Sequence, residues 1–187
     1  MRFSALCLWF AAVASVASAK VGTIDLKQLT KQSGLIVVGR VTSVSAGEIR
    51  MANFQVEKTI KGHAPKRLQF VAEPTWRCDI SDAKPGERLL LFLNPVKAGT
   101  VIGKLMGKGK RVHQDAYLIS DSGRGRIALL GSGSEERIEF KPDSWMEPTE
   151  YVVNLLLPKD LPYQSRGGVT LLPAPALLAK VKTYVIG

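Results

Sequence analysis

The chain has 187 residues, 45% of them hydrophobic and 22% charged, and carries a formal net charge of +10. That length suits one domain with a sizeable core, and two cysteines are too few for a disulfide-built scaffold. The positive balance either favours acidic partners (nucleic acid, anionic lipid or polysaccharide, an acidic protein) or simply keeps the protein in solution.

The first element is an export signal. Arg2 supplies the positive start, Phe3 to Val16 carry no charge, and Ala17-Ser18-Ala19 gives the small-x-small pattern that signal peptidase admits. The apolar run is shorter than the roughly 20 residues that span a bilayer. Cys7 comes too early and follows Leu6, which does not fit a lipoprotein. Cleavage is therefore expected after Ala19, with Lys20 as the new N-terminus and a periplasmic or secreted destination. Removing residues 1–19 from 187 leaves 168, and losing Arg2 takes the charge to +9. It also leaves Cys78 without a partner for an internal disulfide, so Cys78 reads as a small buried hydrophobe, with pairing to another chain or a reactive thiol as the alternatives. No second long apolar run follows, so no transmembrane segment is expected in the mature chain.

Asp25-Leu26-Lys27-Gln28-Leu29 reads as a capped helix start, and Gly34 as its stop, predicting a short helix over about 25–33. Residues 35–44 are rich in β-branched side chains and apolar on both faces at the start, which predicts a strand; Gly39 marks a bulge or sharp bend. In the next run Ala52, Phe54, Val56 and Ile60 share one face, interrupted by Lys58, opposite Asn53, Gln55, Glu57, Thr59 and Lys61. That is a half-buried strand. Leu68, Phe70 and Ala72 repeat the alternation. Arg88 to Leu93 reads as a central strand buried on both sides, ended by Asn94-Pro95. Weaker strands are expected over 116–119, 126–130 and 137–140, with Asp121-Ser122-Gly123 as a hairpin turn between the first two. Glu147-Pro148-Thr149-Glu150 predicts a helix through Leu157, and proline-bearing residues 158–175 an irregular stretch. Leu177, Leu178, Val181 and Tyr184 fit one face of a C-terminal helix, although Tyr184-Val185-Ile186 fits a strand equally well.

A helix, five or more short strands and helical C-terminal elements predict a mostly β protein: a small OB-fold-like barrel, closed or partly open, with an α+β sandwich as the alternative. The expected organisation is a barrel domain over 20–145 and a helical, proline-rich extension over 146–187 packing on it. The runs Leu35-Ile36-Val37-Val38-Gly39-Arg40-Val41, Phe54 to Gly62 and Pro85 to Leu93 resemble a group of exported bacterial proteins whose domain is like the tissue inhibitors of metalloproteinases, also called netrin-like. The resemblance covers roughly residues 22–130 and implies an OB-fold barrel. The animal inhibitors chelate the protease zinc through an N-terminal cysteine. Here the expected start is Lys20-Val21-Gly22, so the resemblance carries no inhibitory residue onto this chain.

Chemistry is sparse. His63 and His113 lie in polar stretches without a nucleophile motif and are expected to face solvent. They form no zinc set with Cys78: there is no CxxC, no HExxH, and no histidine pair at helical spacing. The run Gly103 to Lys110 departs from a phosphate loop, with three residues between Gly103 and Gly107 and with Gly109 after Lys108. Its functional reading is an anion-binding loop carrying Lys104, Lys108, Lys110 and Arg111; its bland reading is a mobile basic hairpin tip. Trp76-Arg77 is a candidate partner patch, since OB-folds bind through aromatic and basic side chains. Glu73, Asp79 and Asp82 are too loosely spaced for a calcium loop. The chain is therefore expected to be a non-enzymatic exported module without cofactor or metal, binding a protein or an envelope component rather than nucleic acid. The alternatives are a polyanion binder working through the lysine-rich loop and a hydrolase whose site is assembled from distant residues.

Overall fold

A computed structural model describes residues 23–74, 81–103, 107, 109–140, 150–151, 155–166 and 169–187. The signal segment with its cleavage site after Ala19 lies outside these residues, as do Trp76, Arg77, Cys78, Asp79, Lys104 and Lys108.

Strand β1 (Ile24–Asp25) leads into helix α1 (Leu26–Gln32), where Asp25 Oδ1 accepts from the Gln28 backbone N–H at 2.7 Å. This satisfies one of the donors a helix start leaves free. At the other end Lys61 Nζ donates to the carbonyls of Thr30 (2.7 Å) and Lys31 (3.0 Å), the groups a helix C-terminus leaves unpaired.

Five strands close a barrel: β2 (Leu35–Val44), β3 (Met51–Lys61), β4 (Arg67–Val71), β5 (Arg88–Val96) and, after the small hairpin β6 (Val101–Ile102) and β7 (Lys110–Arg111), β8 (Ala116–Ile119). The hydrogen-bonded order β2-β3-β4-β8-β5 returns to β2 through the β2–β5 pair. All pairs are antiparallel except β4 with β8, where Phe70 lies opposite Tyr117. This is the five-stranded Greek-key topology of an OB-fold. Gly39 is where the barrel turns. The β2–β3 register slips between Val38 and Gly39. A Cβ at Gly39 would overlap the Gln55 carbonyl and lie 2.7 Å from the Phe54 ring. Only glycine lets β3 coil this tightly over β2.

The barrel interior holds Leu35, Val37, Phe54, Phe70, Leu89 and Leu91, with the Phe54 and Phe70 rings edge-on at 6.0 Å. Strands β2 and β5 are apolar on their outer faces too. Ile36, Val38, Leu90 and Phe92 pack there under α1 and under the C-terminal helix α2 (Ala174–Ile186). This is the two-sided burial that the continuous apolar runs predict. β5 runs on to Val96 alongside β8, while its pairing with β2 stops at Leu93 opposite Leu35. Pro95 therefore sits on an unpaired edge where a missing N–H costs nothing.

The expected hairpin at Asp121 is corrected. Asp121 and Ser122 do form a tight turn, each with φ of 55°. The strands flanking it, β8 and β9 (Arg126–Ala128), nevertheless both pair with β5 and not with each other. Residues 120–125 are an excursion in one interrupted partner of β5. It closes on Phe92, whose N–H donates to Gly125 O (2.8 Å) and whose carbonyl accepts from Ser120 N (2.8 Å). A side chain at Gly125 would meet that carbonyl at 2.7 Å.

The C-terminal part departs further from expectation. Strand β10 (Arg137–Phe140) follows a short 3-10 turn at Gly133–Glu135. Where a helix over 147–157 is expected, the described residues form β11 (Glu150–Tyr151) and β12 (Leu155–Leu156), and Leu155 lies parallel to Ile24 of β1. Leu155 and Leu157 are buried while Leu156 between them is less so, which is strand periodicity; pairing with the N-terminal strand overrides the proline-led helix signal. Residues 158–175 are not irregular throughout. Gln164–Arg166 (β13) and Val169–Pro173 (β14) pair, and β14 also joins β10. The prolines bracket these elements: Pro158 and Pro162 precede β13, Pro173 ends β14, and Pro175 lies in the first turn of α2 (Ala174–Ile186). The helix buries Leu177 and Val181, and it continues through Tyr184-Val185-Ile186, which excludes the strand alternative.

Candidate functional site

Of the lysine-rich loop, Lys110 and Arg111 are described, both in β7. Lys110 Nζ forms an ion pair with Glu73 Oε1, and Arg111 Nη1 donates to Gly99 O at 3.1 Å. Glu73 also accepts from the Arg50 backbone N–H at 2.9 Å. Burial raises the Glu73 pKa, but the bonds from Lys110 and the Arg50 N–H and the charges of both residues outweigh it and hold the carboxyl below its usual value. The structure thus commits Lys110 to a carboxylate rather than presenting it as an open cation. Lys104, Lys108, Trp76 and Arg77 lie outside the described residues. His63 is exposed; His113, also exposed, lies 3.3 Å from Glu48.

Two concavities among the described residues bear on a site. One, of about 350 Å³, sits at the 120–125 excursion beside Glu73, Asn94, Ser120 and Asp121. Its carboxylates are already engaged, Glu73 by Lys110 and Asp121 by Arg124 at 2.8 Å. Ser120 and Asn94 are spent on a polar tie in which Asn94 Nδ2 donates to Ser120 Oγ (3.0 Å) and Asn94 Oδ1 accepts from Gly34 N (2.9 Å). Among the described residues no three histidine, cysteine or acidic side chains are grouped to hold a metal.

The other concavity is a groove of about 470 Å³ on the outer face of β3, β4 and β8. In an OB-fold this face, with the loop between the fourth and fifth barrel strands, is where oligonucleotides and oligosaccharides lie. Its central feature is a row of side-chain amides. Ser43, Asn53 and Gln69 are direct register partners on β2, β3 and β4. Gln114 Nε2 donates to Gln69 Oε1, Gln69 Nε2 donates to Asn53 Oδ1 (2.8 Å), and Asn53 Nδ2 donates to Ser43 Oγ (2.8 Å). Arg67, exposed, lines one part of the groove and has no carboxylate partner among the described residues. Tyr117, half-buried, adds apolar surface, while the Leu68 side chain is buried in the barrel interior. Asp115 is held by Lys97 at 2.8 Å and by the Ala98 N–H at 2.9 Å, which keeps its carboxyl below, and Lys97 above, their ordinary ranges.

The amide row is not legible in the sequence. Alternation places Asn53 on the outer face of its strand, but its partners Ser43 and Gln69 lie 10 and 16 positions away and Gln114 lies 45 beyond Gln69, and only barrel register brings them together. Fold and groove together define an OB-type barrel with a solvent-facing row of hydrogen-bonding side chains on part of one wall. No protein-family profile matches the chain, and no curated protein is significantly similar to it.

Proposed function

We propose that this chain is an exported, non-enzymatic binding module that engages a component of the cell envelope through the groove on β3, β4 and β8. The observation that carries the reading is the amide row. Carboxamides neither take up nor release a proton near neutral pH, so they suit recognition by hydrogen bonds rather than acid–base chemistry. The groove's carboxylate, Asp115, is already neutralised by Lys97. The N-terminal signal pattern supports delivery to the envelope, and likeness to the netrin-like group supports a barrel used for binding. No described helix is long and apolar enough to cross a membrane.

The test is capture from a solubilised envelope fraction with the exported protein, in parallel with the double variant Asn53→Lys, Gln69→Lys and the control Lys182→Gln on α2. A partner retained by the parent and the control but lost with the double variant supports the reading. Equal retention by all three overturns it. The captured protein itself should start at Lys20 by mass spectrometry.

A further inference from the structure

From a strand edge inside the groove we infer the partner's class: an extended peptide that adds to β4 as a parallel strand. This rests on the reading of the groove as a binding site. The feature is an open backbone edge within the barrel wall, distinct from the outer face across which ligands of this fold usually lie.

Strand β4 spends its main chain on two sides. The β3–β4 register runs without a slip from Met51 opposite Val71 to Gln55 opposite Arg67. At its ends Ala72 N donates to Arg50 O (2.9 Å) and Lys66 O accepts from Val56 N (3.0 Å). The N–H and C=O of a strand residue point to the same neighbour, and the side alternates from residue to residue. The main chain of Leu68 and Phe70 therefore serves β3, and that of Arg67, Gln69 and Val71 turns toward β8. β8 meets it in a single parallel pair, Phe70 with Tyr117. In a parallel ladder that pair joins Tyr117 N–H to Gln69 O and Val71 N–H to Tyr117 O. The Arg67 N–H, the Arg67 C=O and the Gln69 N–H are left over, and no described residue engages them.

The ladder stops because Asp115 is held elsewhere. Continued in register, Asp115 would lie opposite Leu68. Instead its Oδ1 accepts from Ala98 N at 2.9 Å and its Oδ2 pairs with Lys97 Nζ at 2.8 Å, on the loop between β5 and β6. The groove opens between the two limbs, with Arg67 and Gln69 on one bank and Gln114 and Asp115 on the other. A side-chain bond, Gln114 Nε2 to Gln69 Oε1, bridges it.

Two donors and one acceptor at strand spacing complement a peptide main chain. In parallel register, the peptide residue opposite Leu68 donates its N–H to Arg67 O and accepts from Gln69 N–H. The carbonyl two residues earlier accepts from Arg67 N–H. All three groups are met, by the same pattern that Tyr117 makes at Phe70. Side chains in register share a face and alternate along the strand. The residue beside Arg67 is acidic, because Arg67 is exposed and has no carboxylate partner among the described residues. The residue beside Leu68 is small and apolar, because Leu68 is buried in the barrel interior. The residue beside Gln69 lies on the outer face with the amide row and is polar. The partner segment thus reads acidic–apolar–polar.

The experiment selects peptides on the protein from a phage-displayed library of linear dodecapeptides and titrates the enriched sequences, made synthetically, by calorimetry. They should share the acidic–apolar–polar triplet. N-methylation of the apolar residue, whose N–H meets Arg67 O, should weaken binding about tenfold, while N-methylation of either neighbour should change it little. The exposed Arg67→Glu variant should bind about tenfold more weakly, and lysine in place of the peptide's acidic residue should restore the affinity. In the complex the Gln69 amide should exchange its hydrogen more slowly, whereas the Phe70 amide, already bonded to β3, should not change. No enrichment, N-methylation that acts equally at all three positions or at none, or an unchanged Gln69 amide overturns the assignment. If it falls while envelope capture still depends on Asn53 and Gln69, the strand is wrong and the groove stands. If capture is also independent of them, both fall.

Discussion

The barrel has two unlike walls. The wall made by β2 and β5 is sealed: Leu35 to Val38 and Leu89 to Leu93 are buried without interruption, interior side chains on one face and α1, α2 and β12 on the other. The outer face of the wall made by β3, β4 and β8 is divided: Met51, Val71, Ala116 and Leu118 pack with Ile102 and Val112 around the β6–β7 hairpin, and the remaining part carries Asn53, Gln69 and Gln114 without a covering layer. The difference separates two jobs. The sealed wall supplies most of the apolar burial on which the fold stands, with no described disulfide to assist. The inner face of the open wall shares the barrel core through Phe54 and Phe70, whereas the uncovered part of its outer face adds little to stability and is free to present polar groups.

That contrast can be broken by substitution. On the sealed wall, Phe92→Ala should cost about 3–5 kcal/mol and Leu177→Ala about 2–5 kcal/mol in urea unfolding, because both side chains are fully buried between layers. Gly125→Ala should cost about 1–3 kcal/mol, since its Cβ would press on the Phe92 carbonyl and neither backbone segment can yield freely. On the open wall, Asn53→Ala and Gln69→Ala should each cost about 0.2–1 kcal/mol, the usual scale of a cross-strand pair. Open-wall losses as large as those at Phe92 would contradict the division.

The smallest effect is expected at the rim. Glu73→Gln removes the ion pair that ties the β6–β7 hairpin to the end of β4, and should cost about 0.2–1 kcal/mol near neutral pH. The folded carboxyl titrates below its ordinary value of 4.5, so its contribution is present above that pH and fades as acidification passes through the folded value. The variant should therefore lose less stability than the parent on acidification in that range. An unchanged acid profile would show that the pair is inert.

The sealed wall was largely legible in the sequence. Continuous apolar runs announced β2 and β5, alternation announced β3, and Gly39 announced the bulge that coils the barrel. The elements that misled are those whose identity depends on a distant partner. Glu150–Tyr151 and Leu155–Leu156 are strands because β1 is there to pair with, and the turn at Asp121 is an excursion because β5 accepts strands on both sides of it. The candidate site was less legible still. Charge and glycine content drew attention to Lys104, Lys108, Lys110 and Arg111, but the structure pairs Lys110 with Glu73. Single outward amides, unremarkable one at a time, are assembled into a row only by register.

The most direct test of that separation is site-specific photo-crosslinking in the protein, with the reactive side chain at Gln114 in the groove or at the exposed Lys182 on α2, in the presence of the envelope fraction. The account predicts a discrete adduct from position 114 and none from position 182. An adduct from position 182 alone, or none from either, would contradict it.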